Sequence, residues 1–261
     1  MIPTLTIARN TFREAVRNRI FAALIFFSLV MLGFVLAVSS ASLHEEVRLM
    51  KDVGLFLIST SAVVIAIFTG VTLVYKELER KTIYTVMPKP IYRAQFLAGK
   101  YLGLALTMLV LVATMGGVLV ALLVIVEGDP GLEMVQALWL LYVEVLVVMA
   151  VALVFSSFST PFLSGLLTLG TFVCGRFVDV MLTLRLGEPG ERTPVTEAIS
   201  AVVRFIATVT PDLSIYNVTP HVVYARPLTA EFMLQATFTG VGYVGIGFVI
   251  SAVFFSRRDF V

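Results

Sequence analysis

Long stretches without charged residues alternate with short polar segments along the chain, and this pattern predicts membrane-crossing helices. A hydrocarbon core about 30 Å thick is crossed by about 20 apolar residues in a helix. Six stretches meet or approach this length, and the predicted spans are residues 20–38, 54–74, 101–126, 135–156, 162–184 and 231–255. The predicted fold class is an all-α membrane protein with six transmembrane helices, forming one domain over residues 1–261.

Two segments outside these spans have helical periodicity. In residues 1–19, apolar positions recur every three or four residues while four arginines fall largely on other faces, which predicts an interfacial helix. The connection 186–228 holds a similar stretch between Pro194 and Pro211, too short to span. We expect an amphipathic outer helix there, covering the spans like a gate. A surface helix without a gating role is the alternative.

Composition narrows the class of protein. The chain is 59% apolar and 14% charged, whereas soluble domains have about 45–50% apolar and about 25% charged residues. The net charge of +2 is spread over loops, which argues against nucleic acid as a partner. One cysteine, Cys174, and two histidines in separate loops, His44 and His221, predict neither a disulfide framework nor a metal site.

The distribution of basic residues predicts the orientation, since cytoplasmic loops carry the excess of Lys and Arg. Four basic residues lie in the N-terminal segment, six in the loop 75–100 and two in the tail, out of 19 in total. The other seven are spread over the opposite side and the end of the fifth span. We therefore place both termini and the loop 75–100 in the cytoplasm.

Three ionisable residues lie within or beside the predicted spans. Glu144 interrupts the fourth span, where an ionised acid costs about 2.5–3.5 kcal/mol, so its side chain should face protein or water. It is a candidate pathway or gate residue, or it forms an interhelical hydrogen bond to a Ser, Thr or Tyr. Arg176 and Asp179, three residues apart near the outer end of the fifth span, are expected to form a local ion pair, with a gating role as the alternative.

The loop 75–100 is dense in charge within an otherwise bare protein. A modest apolar side at roughly helical spacing predicts a short helix near residues 77–87, which Pro88 and Pro90 end. Such a helix can dock in the groove of a cytoplasmic partner, and a solvated connector is the alternative. The candidate coupling residues are Glu77, Glu79, Arg80, Thr82, Ile83 and Tyr84.

Particular residues of this loop resemble the first cytoplasmic loop of ABC-transporter permeases of the type 2 exporter class. They are Glu79-Arg80 with Thr82, followed by Pro90, Arg93, Phe96, Gly99 and Lys100. Further similar stretches are Asn10–Ala15, Pro211-Asp212-Leu213 with Tyr216-Asn217, and Arg257–Phe260, so the resemblance extends over nearly the whole chain. Within the class, the chain is most similar to compact six-helix permeases of copper-maturation and gliding-motility systems. Lys81 departs from the glycine that many members carry there.

The resemblance implies a permease subunit in the cytoplasmic (inner) membrane of a prokaryote, with a coupling helix in the loop 75–100. It further implies two cytoplasmic ABC ATPase subunits, which bind ATP and Mg, and a second permease copy or a related permease. The chain itself has no phosphate-binding Gly-x-x-x-x-Gly-Lys-Ser/Thr motif, so we expect no catalytic or cofactor-binding residues in it. The substrate is left open.

Two other functions fit the same sequence. One is an ion-coupled secondary transporter that uses Glu144, although we find neither repeated halves nor broken helices in the sequence, which such transporters often have. The other is a membrane anchor that recruits a cytoplasmic partner, although an anchor needs neither an intramembrane acid nor a long outer segment.

Overall fold

The computed structural model of the chain is helical wherever it has regular structure. It describes residues 3–17, 22, 25–26, 29–30, 33, 37, 46–80, 93–129, 131–183, 194–224, 226 and 228–257. The elements within these ranges are α1 (Pro3–Val16), α2 (Glu46–Arg80), α3 (Arg93–Val126), α4 (Leu132–Ser156), α5 (Pro161–Arg176), α6 (Val178–Thr183), α7 (Pro194–Val209), a 3-10 turn (Ser214–Tyr216), α8 (Thr219–Val223) and α9 (Ala230–Arg257). The predicted all-α class is confirmed.

Four helical stretches in the described ranges are long and apolar enough to cross a bilayer. They are Val47–Leu73, Ala94–Val126, Leu132–Ser156 and Ala230–Phe254. A fifth crossing is present if Ala198–Val209 and Ser214–Val223, which are bent by 61°, form one broken span. The predicted first span, residues 20–38, falls mostly outside the described residues, so the count of six remains a prediction.

The predicted fifth span, residues 162–184, is interrupted. α5 ends at Arg176, and Phe177 separates it from the six-residue α6, which packs against α7. The structure is helical on both sides of this one-residue break, and the apolar run did not indicate the interruption at Phe177. The carbonyl of Gly175, close to the break, accepts a hydrogen bond from the N–H of Leu213 at 3.0 Å.

α4 is the central helix of the bundle, and more than half of its side chains are buried. It packs against α2, α3, α5 and α9. Two tyrosines tie it to the antiparallel α3, since the hydroxyl of Tyr101 donates to the Leu146 carbonyl at 2.8 Å and that of Tyr142 donates to the Ala105 carbonyl at 3.2 Å. Because α4 contacts four other helices, a polar side chain on it can bond to residues of several helices.

α9 runs parallel to α4 and approaches it through two glycines. A Cβ at Gly240 would collide with Val143, and one at Gly247 would lie 3.3 Å from the Cβ of Ala150. Both pairs are seven residues apart, so the contact repeats every two helical turns. Gly242 and Gly245 face open space instead. Two of the four glycines therefore allow close approach to α4.

α1 packs lengthwise against the beginning of α3. A Cβ at Gly99 would lie 2.7 Å from the Thr4 carbonyl oxygen, and one at Gly103 would lie 2.5 Å from that of Ala8. Two glycines four residues apart allow the two backbones to approach closely, as in other membrane helix pairs. The amphipathic pattern of residues 1–19 predicted a helix at this position, but did not indicate that α3 holds it.

Candidate functional site

Glu144 lies at the midpoint of α4, with 1% of its surface exposed. A charged side chain at that depth needs an opposite charge or hydrogen bonds, because burying an isolated ion is very costly. The bundle must therefore supply its partner from another helix.

Arg176 supplies that partner from the C-terminal end of α5. Its Nη1 donates to Oε1 of Glu144, and its Nη2 lies 3.4 Å from Oγ of Ser59 on α2. Its guanidinium also lies 5.8 Å from the ring centroid of Phe172. The end of a helix carries partial negative charge, which further favours a cation there. We call Glu144, Arg176 and Ser59 the buried polar triad.

The triad corrects two expectations for these residues. Arg176 pairs with Glu144 rather than with Asp179, which is exposed on α6 beyond the break. Glu144 binds a guanidinium rather than a Ser, Thr or Tyr. Local spacing favoured the Arg176–Asp179 pair, but the break at Phe177 removes the continuous helix that this pair requires.

The segment after α7 reaches into the bundle beside the triad. Leu213 hydrogen-bonds Gly175, the neighbour of Arg176 in sequence. Tyr216 packs over Gly240, which faces Val143, the neighbour of Glu144, and its hydroxyl donates to the Ala236 carbonyl at 3.2 Å. Residues 211–216 therefore link the end of α5 to α4 and α9 at the level of the triad.

The triad can hold helices in one arrangement, but it is poorly suited to carry protons. The carboxylate is matched by a guanidinium, so the pair has no net charge, and breaking it leaves a buried ion without a partner. It joins α2, α4 and α5, and through Gly175 the segment 211–216. Any movement of α5 relative to α4 must therefore first exchange these bonds.

A second ion pair lies where α2 begins and α3 ends. Nζ of Lys51 lies 2.8 Å from Oε2 of Glu127, with 8% and 35% of the two side chains exposed. Arg48, three residues before Lys51, and Arg226 have their guanidiniums 5.8 and 5.9 Å from the ring centroid of Tyr224. Charged groups and a tyrosine at one end of apolar helices are typical of a membrane boundary.

Measured from that boundary, α2 and α3 are longer than a bilayer requires. From Lys51 to Arg80 α2 extends about 44 Å, and from Glu127 back to Arg93 α3 extends about 50 Å, against a hydrocarbon core of about 30 Å. Both helices therefore project at the end where residues 81–92 connect them. The two projecting portions form the stems of that connection.

The predicted coupling residues are distributed over one of these stems and the connection. Glu77, Glu79 and Arg80 continue α2 without a break, so the predicted separate helix does not begin at residue 77. The physical reason is that residues 75–80 contain no Gly or Pro to end the helix. Thr82, Ile83 and Tyr84 lie outside the described residues.

Sequence reasoning identified Glu144 and Arg176 but not the residues around them. Ser59 is one of several hydroxyl residues in an apolar run, and nothing in the sequence distinguishes it. Leu213 and Tyr216 do fall in stretches that resembled known permeases, which was the available signal. Their position beside the triad depends on contacts that no local pattern encodes.

Nearly the whole chain is similar to one protein family. A family model described as ABC-2 family transporter protein matches residues 5–260. No curated protein matches the sequence.

Proposed function

The chain belongs to the ABC-2 transporter family, and from this premise we propose that it is the permease subunit of an ATP-driven exporter. In this proposal it is a multi-pass protein of the inner membrane with both termini in the cytoplasm. Two separate ATPase subunits bind ATP and Mg, and a second permease copy or a related permease completes the assembly. The family match over residues 5–260 is the observation that carries the proposal.

The stems formed by α2 and α3 support a mechanical role for the connection between them. Each is a continuous helix from the membrane to the edge of residues 81–92. A continuous hydrogen-bonded helix transmits displacement along its axis better than an irregular loop does. ATP-driven closure of the ATPase subunits would push on Glu77, Glu79, Arg80, Thr82, Ile83 and Tyr84 and move α2 and α3.

Displacement of the stems would reach the buried polar triad inside the membrane. α2 carries Ser59, and α2 and α3 both pack against α4, which carries Glu144. A shift of the stems therefore changes the geometry around the Glu144–Arg176 pair and the segment 211–216. We propose that this change alternates the access of substrate between the two sides.

The secondary-transporter alternative has less support in the structure. An ion-coupled carrier needs a group that binds and releases its ion, whereas Glu144 is buried and already bound by Arg176. The helix break at Phe177, which the sequence did not predict, is a feature that such carriers share. The family match over residues 5–260 supports the ATP-driven function.

The proposal is tested by purifying the tagged chain from native membranes and identifying what accompanies it. We expect an ATPase subunit to co-purify, and Glu79→Ala with Arg80→Ala to reduce its retention about tenfold, as loss of charged contacts in an interface does. Gln95→Ala is the matched control, because Gln95 is exposed at the start of α3 outside the proposed contact. A native assembly without any ATPase would refute the function. Full retention in the double variant would refute only the contact.

A further inference from the structure

We propose that the polar flank of α1 binds the headgroup of an aminophospholipid, phosphatidylethanolamine in chemical class. An open cavity of about 430 Å³ lies on this flank, and the described residues that line it are Asn10, Arg13, Glu14 and Arg17, all of them exposed. Cavities of about 300–1,000 Å³ are the usual size for small ligands. This inference is independent of the proposed transport function.

The four lining residues form one continuous surface of the helix. Their spacing of three and four residues places them on the same side of α1, away from Thr4, Ala8 and Thr11, which face α3. Among the described residues, none of the four side chains has a hydrogen-bond or ion-pair partner. Two guanidiniums, a carboxylate and an amide therefore face one cavity, and no described residue uses their bonding capacity.

The combination of charges selects the ligand. Two guanidiniums bind a phosphate through charge-assisted hydrogen bonds, often in pairs. A carboxylate beside them opposes a ligand that is only anionic, but it binds an ammonium group. A phosphate and a primary ammonium linked by two carbons present both groups at once, which is the headgroup of an aminophospholipid.

The location of α1 favours a lipid over a free phosphate compound. Gly99 and Gly103 of α3 contact α1 at successive turns, so the two helices run in the same direction. A crossing of about 20 residues counted back from Glu127 ends near residue 107. Residues 10–17 of α1 lie level with this end of the crossing portion of α3, where headgroups are found.

The other flank of α1 is suited to the acyl chains of the same lipid. Leu5 and Val16 lie there with 67% and 43% of their surfaces exposed. Basic pockets at the ends of membrane helices also bind lipid headgroups in other proteins.

The test is lipid retention by the full-length protein in nanodiscs that contain equal amounts of phosphatidylethanolamine and phosphatidylglycerol. The lipids that remain bound after transfer to detergent are identified by native mass spectrometry. For Arg13→Gln with Arg17→Gln we expect at least about a tenfold loss of bound phosphatidylethanolamine, as for charge-assisted bonds. For Glu14→Gln we expect the preference over phosphatidylglycerol to fall several-fold, since only the ammonium contact is lost.

Arg9→Gln is the matched control, because Arg9 is exposed on the same helix but does not line the cavity. The proposal predicts retention within about twofold of the wild type for it, and requires thermal melting to show that all variants remain folded. Equal losses for Arg9 and for the Arg13/Arg17 pair would refute a defined site. Displacement of the lipid by inorganic phosphate alone would assign the site to a free anion. Unchanged lipid with lost ATPase co-purification would assign it to a protein partner. Each of these results overturns the proposal.

Discussion

The buried polar triad and the contact between α1 and α3 both attach a short helix to a long one, but by opposite chemistry. At the triad, α5 is held to α4 by a guanidinium and a carboxylate within an apolar interior. At the other contact, α1 approaches α3 because Gly99 and Gly103 have no side chains. The contact between α5 and α4 therefore requires both charges. The contact between α1 and α3 requires that positions 99 and 103 have no side chain.

The two contacts also respond differently to movement. An ion pair in a low-dielectric interior favours one geometry strongly, because separation leaves both charges without partners. Close packing between small residues can be restored after sliding along the helix axis, since dispersion forces are individually weak. The triad is therefore suited to define discrete states, whereas the α1–α3 contact allows gradual displacement of one helix along the other.

The largest expected effect comes from breaking the triad. Arg176→Met leaves the carboxylate of Glu144 buried without a counter-charge, which costs about 3–5 kcal/mol in comparable buried pairs. The free energy of unfolding, measured by denaturant titration in mixed micelles, should fall by this amount. Adding Glu144→Gln to Arg176→Met should recover part of the loss, because the uncompensated charge is removed.

Asp179→Asn is the control for this experiment. Asp179 is exposed and lies three residues from Arg176 without pairing with it, so little change is expected. If Asp179→Asn costs as much as Arg176→Met, the local ion pair predicted from spacing is the relevant one. The assignment to Glu144 would then be wrong.

The next largest effect comes from adding atoms between α1 and α3. Gly103→Leu would place its Cβ 2.5 Å from the carbonyl oxygen of Ala8, and a backbone atom cannot move aside as a flexible side chain can. Overpacking costs typically about 1–3 kcal/mol, and here it should also release α1 from α3. A disulfide between cysteines introduced at positions 8 and 103 in a second variant would report the contact directly.

The control is Gly117→Leu, further along the same helix, where nothing lies within 4 Å of the added Cβ. Release of α1 is measured by its cleavage in limited proteolysis. Gly117→Leu should leave both the free energy of unfolding and the resistance of α1 to protease close to those of the wild type. If Gly103→Leu also leaves α1 protected from protease, the contact does not depend on the glycines.

The smallest effect concerns the ion pair at the membrane boundary. Lys51→Met should destabilise by about 1 kcal/mol or less, because Glu127 is one-third exposed and water can replace its partner. Comparison with Arg176→Met measures the effect of burying the remaining carboxylate, because 1% of the Glu144 side chain is exposed against 35% of that of Glu127. Asp52→Asn, an exposed neighbour of Lys51, is the control. Losses of the same size for Lys51→Met and Arg176→Met would contradict the depth assigned to the triad.

The positions of several helices could be predicted from the sequence, whereas the contacts between helices could not. The long apolar runs located α3, α4 and α9 closely. The run at 162–184 predicted a helix, but its apolar composition does not indicate that Gly175 bonds Leu213 beside the one-residue break at Phe177. The glycines at 99 and 103 were visible, but their partner helix was not.

The sequence by itself determined that this is a helical membrane protein, where its long helices lie, and which side chains would be problematic in lipid. Those properties depend on transfer free energy and helical periodicity, which are summed over neighbouring residues. Only the tertiary structure decided that Glu144 is bound by Arg176, 32 residues away, and Arg176 by Ser59, 117 residues away. The pairing of buried charges depends on which helices meet in space, and no short stretch of sequence contains that information.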